Sequence, residues 1–125
     1  MEHSVKYDSE KHVVITNATG PLSSENIREM ARVSRVEAEK YICYNLLVNI
    51  TECSISRSML DAFMDMQYFM EISGLSVNYK CAILYDPVTY PEDRAKFIET
   101  VVTNRPNPRF KMVMSYEEAF HWLNQ

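Results

Sequence analysis

Thr51-Glu52-Cys53-Ser54, with Ser56 and Ser58 close behind, is where this chain concentrates side chains able to do chemistry. A thiol at the start of a helix has its pKa lowered and becomes a nucleophile. Serine hydroxyls beside a helix N-terminus can hold an anion or carry a phosphate. Asp86, just past a second apolar run, would face the same rim. Each residue also has a plainer reading, since Ser is a preferred helix cap and free Cys is among the most buried residue types. No histidine stands near Cys53 in the sequence to serve as its base. His3, His12 and His121 have no metal-ligand spacing to one another or to the cysteines, so neither a metal nor any other cofactor is expected. With two glycines in all, there is no Gly-rich phosphate loop. No acid–base pair presents itself, and the residues point away from an enzyme.

Composition narrows the field further. Hydrophobic residues make up 46% and charged residues 24% of 125 positions, ordinary globular values that allow one domain, residues 1–125, to bury a core unaided. Thirteen Lys and Arg against seventeen Asp and Glu leave a net charge of −4, which disfavours nucleic acid and anionic membrane as partners. The opening Met1-Glu-His-Ser-Val-Lys-Tyr-Asp8 lacks the basic and apolar regions of a signal peptide. No apolar run approaches the ~20 residues that span a bilayer. Three cysteines with no C-x-x-C pair read as reduced thiols, and hence a cytoplasmic protein.

The elements that must position these groups alternate in type. Val5 to Tyr7, a polar turn at Asp8–Lys11 and Val13 to Thr16 read as a hairpin, which Gly20-Pro21 ends. Ser23 or Ser24 caps a first helix, with Ile27, Met30, Ala31, Ser34 and Ala38 at helical spacing. Leu46 to Ile50 is a buried strand, and Ser54 or Ser56 caps a long second helix that Gly74 closes. Cys81 to Tyr85 is the next strand. Thr89-Tyr-Pro-Glu92 reads as a capping box opening a third helix that runs to Asn104. Phe110 to Met114 is the last strand, and Ser115 with Glu118 forms a second capping box before a terminal helix. The order β-β-α-β-α-β-α-β-α calls for a five-stranded mixed sheet, the first strand antiparallel and the rest parallel, with four helices. Leu46, Val48 and Ile50 share one strand face and Leu47 and Asn49 the other, so one face is fully covered and its opposite only in part.

With that order, the chain resembles the SpoIIAA-like group of the STAS superfamily, small bacterial α/β domains. The resemblance is strongest over Ala95-Lys-Phe-Ile-Glu-Thr-Val-Val-Thr-Asn-Arg105, then Phe110 to Met114, then Glu117-Glu-Ala-Phe-His-Trp-Leu123. In the anti-sigma-factor antagonists of that superfamily, a serine opening the second helix is phosphorylated within an Asp-Ser-Ser/Thr-Gly-Leu-like segment. The matching stretch here, Ser54-Ile-Ser-Arg-Ser58-Met-Leu60, keeps a serine and the Leu but has neither the Asp nor the Gly. That departure argues against a regulated phosphosite at Ser58. A remoter similarity to the CRAL-TRIO lipid-transfer fold implies that a lipophilic ligand is conceivable.

The second helix carries more apolar surface than a core needs. Met59, Ala62, Phe63, Met66, Phe69 and Met70 form one face, while Leu60, Met64, Tyr68 and Ile72 recur on the opposite side among acidic residues. Met-rich apolar stripes on soluble proteins mark interfaces, unless another part of the same chain covers them. Two functions follow as expectations. The first is a non-enzymatic regulatory or protein-interaction module that docks a protein partner or a second copy through Leu60, Met64, Tyr68 and Ile72. The alternative is a module holding a small anionic or lipophilic ligand at the rim of Thr51, Glu52, Cys53, Ser54, Ser56, Ser58 and Asp86.

Overall fold

A computed structural model describes residues 2–54, 79–103 and 110–125. β1 (Glu2–Asp8) and β2 (Val13–Pro21) form the hairpin, in register from Glu2↔Thr19 to Asp8↔Val13. The Asp8 carboxylate makes the turn by accepting from the backbone N–H groups of Glu10 and Lys11, at 3.0 and 3.1 Å. β3 (Asn45–Ser54), β4 (Lys80–Leu84) and β5 (Phe110–Val113) then add in chain order, all parallel to β2. The result is the expected five-stranded mixed sheet. β2 departs from expectation by running through Gly20-Pro21 instead of stopping before it. Pro21 pairs with Ser54 beyond the last rung of β1, so its missing N–H is not needed on that side.

α1 (Ser24–Tyr41) buries Ile27, Met30, Ala31, Ser34 and Ala38 against one face, the set given by the helical spacing. That face also carries Val14, Leu46, Val48, Ile50, Cys81, Ile83, Phe110 and Met112. Thr16 and Ser34, both fully buried, satisfy each other across it through hydroxyls 2.6 Å apart. The opposite face is Val13, Leu47, Ala82, Leu84 and Val113, covered by Ala119 and Leu123 of α3 (Tyr116–Leu123). At eight residues α3 is below the ~12–15 that an isolated helix needs, so its packing and its ends must hold it. Ser115 caps it as expected, accepting from Glu118 N–H at 3.1 Å. At its other end Lys80 Nζ donates to the Trp122 carbonyl at 3.2 Å and lies over the Trp122 ring.

α2 (Glu92–Thr103) starts differently from the sequence reading. Thr89 caps nothing: its hydroxyl donates to the Asp86 carbonyl at 3.2 Å. Asp86 organises this whole turn, its carboxylate accepting from Val88 N–H and its carbonyl from Thr89 and Tyr90 N–H. An Asp folding the backbone onto itself consumes the threonine first. The Pro91 carbonyl instead takes the N–H groups of Arg94 and Ala95. Three of the four expected helices are thus described; the fourth, residues 57–72, lies outside the described residues. Among the described residues, no helix is long and apolar enough to cross a membrane.

Candidate functional site

The rim beyond the strand ends is built by an overrun. β4 leaves β3 at the rung Asn49↔Leu84, yet β3 continues to Ser54, held by β2 through Thr19↔Glu52, Gly20↔Cys53 and Pro21↔Ser54. Between Asn17↔Asn49 and Thr19↔Glu52 the register shifts, because β3 carries one residue more than β2. The Asn49 side chain fills that bulge. Its Oδ1 accepts from Thr51 N–H at 3.0 Å and from the Thr51 hydroxyl at 2.7 Å. Its Nδ2 donates to Asn17 Oδ1 at 3.0 Å and to the Tyr116 hydroxyl at 2.9 Å. The Tyr116 hydroxyl in turn donates to Asn17 Oδ1 at 3.4 Å. Asn49 has two donors and two acceptor lone pairs, and all four are used.

Of the rim residues read from the sequence, Thr51 is therefore half-buried and committed to the bulge. Cys53 is 3% exposed, and burial, with the Glu52 charge beside it, pushes its thiol pKa up. A thiol shifted that way is protonated at neutral pH and is no nucleophile. Glu52 and Ser54 are exposed, and the Ser54 carbonyl accepts from Leu22 N–H at 3.0 Å. Asp86 is occupied in its own turn, and no hydrogen bond among the described residues joins it to Thr51–Ser54. Ser56, Ser58, Leu60, Met64, Tyr68 and Ile72 lie outside the described residues. Cys43 and Cys81 are also buried with raised pKa values, and all three thiols are free. Among the described residues, no group of three or more His, Cys, Asp or Glu is placed to hold a metal ion.

The sequence reading missed the hub of this arrangement. Asn17, Asn49 and Tyr116 were not singled out, although one signal was there: Asn49 is the single polar residue in the buried run Leu46–Ile50. A polar side chain in such a run must find partners. The quartet Asn17–Asn49–Thr51–Tyr116 contains neither a carboxylate nor an imidazole. It clasps the first turn of α3 to β2 and β3 across the bulge.

At the other end of the parallel strands the side chains are aromatic. Tyr7 stacks on Tyr41 with ring centroids 4.4 Å apart, and its hydroxyl lies 3.0 Å from His12 Nδ1. Tyr44 meets Tyr79 edge-on at 5.2 Å. Ile42, the residue after α1, is 69% exposed and in the left-handed region at φ 51°.

No protein-family model and no curated protein sequence matches the chain. Solved structures do. An uncharacterised protein of the DUF3478 family from Shewanella loihica PV-4, described as having a SpoIIAA-like fold, superposes with TM-score 0.58 at 18% identity, over 98% of this chain and 92% of its own. The fold is SpoIIAA-like. The anti-sigma factor antagonist SpoIIAA in its unphosphorylated form superposes with TM-score 0.50 at 14% identity, over 94% of this chain and 92% of its own. At such identities the SpoIIAA-like likeness is one of architecture. What the strand-end rim does must come from its own residues.

Proposed function

We propose that this chain is a non-enzymatic regulatory module of SpoIIAA-like, STAS type. It docks a protein partner, or a second copy, through its second helix at Leu60, Met64, Tyr68 and Ile72. One observation carries the reading: Thr51, Cys53 and Asp86 of the rim are spent on structure. Asn49 and Thr51 close the bulge, Asp86 folds its own turn, and Cys53 is buried and protonated. The overrun of β3 then delivers the chain from the exposed Ser54 directly into the segment that carries the second apolar stripe. A hydrogen-bonded clasp followed in sequence by an apolar-striped segment suits recognition, not turnover. A fold neighbour that is an anti-sigma factor antagonist supports a role exerted through protein contact. Three free, buried thiols support a reducing, cytoplasmic setting. The small-ligand reading has less behind it, because Thr51 and Asp86 already have partners.

Glutamate substitutions test the docking stripe. Met64→Glu and Tyr68→Glu each place a charge where an apolar contact forms, and an unpaired buried charge costs several kcal/mol. We expect both variants to melt with the parent while the mass of the assembly, read by size exclusion with light scattering, falls by the partner or copy held at the stripe. A fall of roughly ten degrees in melting temperature with association unchanged would mean that the stripe is covered within the monomer, and would refute the reading.

A further inference from the structure

β1 is the outermost strand of the sheet and pairs only with β2 among the described strands. Its register is continuous from Glu2 to Asp8, with neither a bulge nor a proline to bend the edge away. Such an edge presents unpaired backbone N–H and C=O groups and is a template for another strand. Charged residues ordinarily protect an edge by repelling an approaching strand. On β1 the signs are arranged for attraction between copies.

Glu2, Ser4 and Lys6 share one face of the strand, and His3, Val5 and Tyr7 the other. Val5 and Tyr7 pack against the α1-covered core, while Glu2 and Lys6 are exposed and form no ion pair among the described residues. An antiparallel second copy centred on Ser4 brings Lys6 of the partner subunit opposite Glu2 and Glu2 of the partner subunit opposite Lys6. Both rungs then pair opposite charges, and the two are related by a twofold axis. Moving the centre to Val5 would oppose Glu2 to Asp8, two like charges, and an in-register parallel copy would oppose each charge to itself. One register out of these is favoured.

We propose that β1 is a homodimerisation edge, paired antiparallel about Ser4, which joins the five strands of each copy into one continuous sheet. Main-chain hydrogen bonds hold the pair together, and the Glu2–Lys6 rungs fix its register. This edge shares no residue with the stripe Leu60, Met64, Tyr68 and Ile72, so either proposal can fail alone.

The test is sedimentation equilibrium at low salt on the chain and its charge variants. We expect a dimer for the parent. Glu2→Lys and Lys6→Glu, each placing like charges on both rungs, should weaken it roughly ten-fold or more. The double variant Glu2→Lys/Lys6→Glu should restore it, which nonspecific charge effects do not do. Tyr68→Glu should leave this dimer unchanged. The proposal is overturned by a parent that stays monomeric at every concentration, by single and double variants that dimerise alike, or by a dimer that only Tyr68→Glu abolishes.

Discussion

The two ends of the parallel strands are finished with different chemistry. Where the strands stop, Asn17, Asn49, Thr51 and Tyr116 are joined by hydrogen bonds that each demand a partner at a set distance. Where they start, Tyr7, Tyr41, Tyr44 and Tyr79 meet through ring faces and edges, and Ile42 stands exposed. A hydrogen-bonded end has few tolerated alternatives, because removing one partner strands the others. An aromatic end is held by area, which many side chains supply. The polar end is thus the better platform for fixing the course of β3 to its end at Ser54. The aromatic end is the place where local strain can be endured.

The sharpest way to break that contrast is at Asn49. Asn49→Leu removes both acceptances from Thr51 and both donations to Asn17 and Tyr116. With the Thr51 N–H left half-buried and unpaired, we expect a loss of about 2–3 kcal/mol and a melting temperature lower by roughly ten degrees. Thermal unfolding by circular dichroism measures it. A loss no larger than that of Tyr44→Leu at the aromatic end would erase the distinction.

A smaller effect comes from the thiols, which both ends bury. Burial raises the pKa of Cys43 at the aromatic end, Cys53 at the polar end and Cys81 within β4. A thiol whose folded pKa lies above its unfolded one favours the folded state fully below the unfolded value, about 8.5. Above it, the unfolded chain releases its proton first, and stability falls as pH rises. For Cys81 alone we expect a loss of about 1 kcal/mol per pH unit above roughly 8.5. Denaturant titrations at neutral and alkaline pH should show the decline, and Cys81→Ala should reduce it, leaving the share of Cys43 and Cys53. A pH-independent midpoint would contradict the burial.

The smallest expected effect has the opposite sign. α1 ends in two bonds of a Schellman pattern, Cys43 N–H to the Ala38 carbonyl at 2.9 Å and Ile42 N–H to the Glu39 carbonyl at 3.4 Å. The left-handed residue is Ile42, at φ 51° and ψ 48°, where a glycine would fit without cost. Because its side chain is exposed, Ile42→Gly removes the strain with little lost packing and should stabilise the fold by about 1 kcal/mol. A destabilised variant would mean that the Ile42 side chain contributes contacts that outweigh its backbone strain.

Much of the architecture was legible in the sequence because it depends on local spacing. The stripe Ile27–Met30–Ala31–Ser34–Ala38 is buried as a set, Ser115 caps α3, and the two faces of β3 are covered unequally. What was not legible depends on contacts distant in sequence or on competition within a turn. Asn49 meets Tyr116 across 67 positions, which no local pattern announces. Thr89 has the look of a cap, but Asp86 claims it first. Pro21 reads as a strand end, yet β3 outruns β1 and gives it a partner. The left-handed Ile42 carries no residue signal at all, since glycine is the usual mark of that conformation.

Native mass spectrometry of the chain, purified gently from its own cells, tests the central claim most directly. Regulation by docking predicts the unmodified chain carrying a second copy or a bound protein, with no small-molecule adduct. A monomer that retains a stoichiometric small ligand, released on denaturation, would contradict it and return function to the strand-end rim.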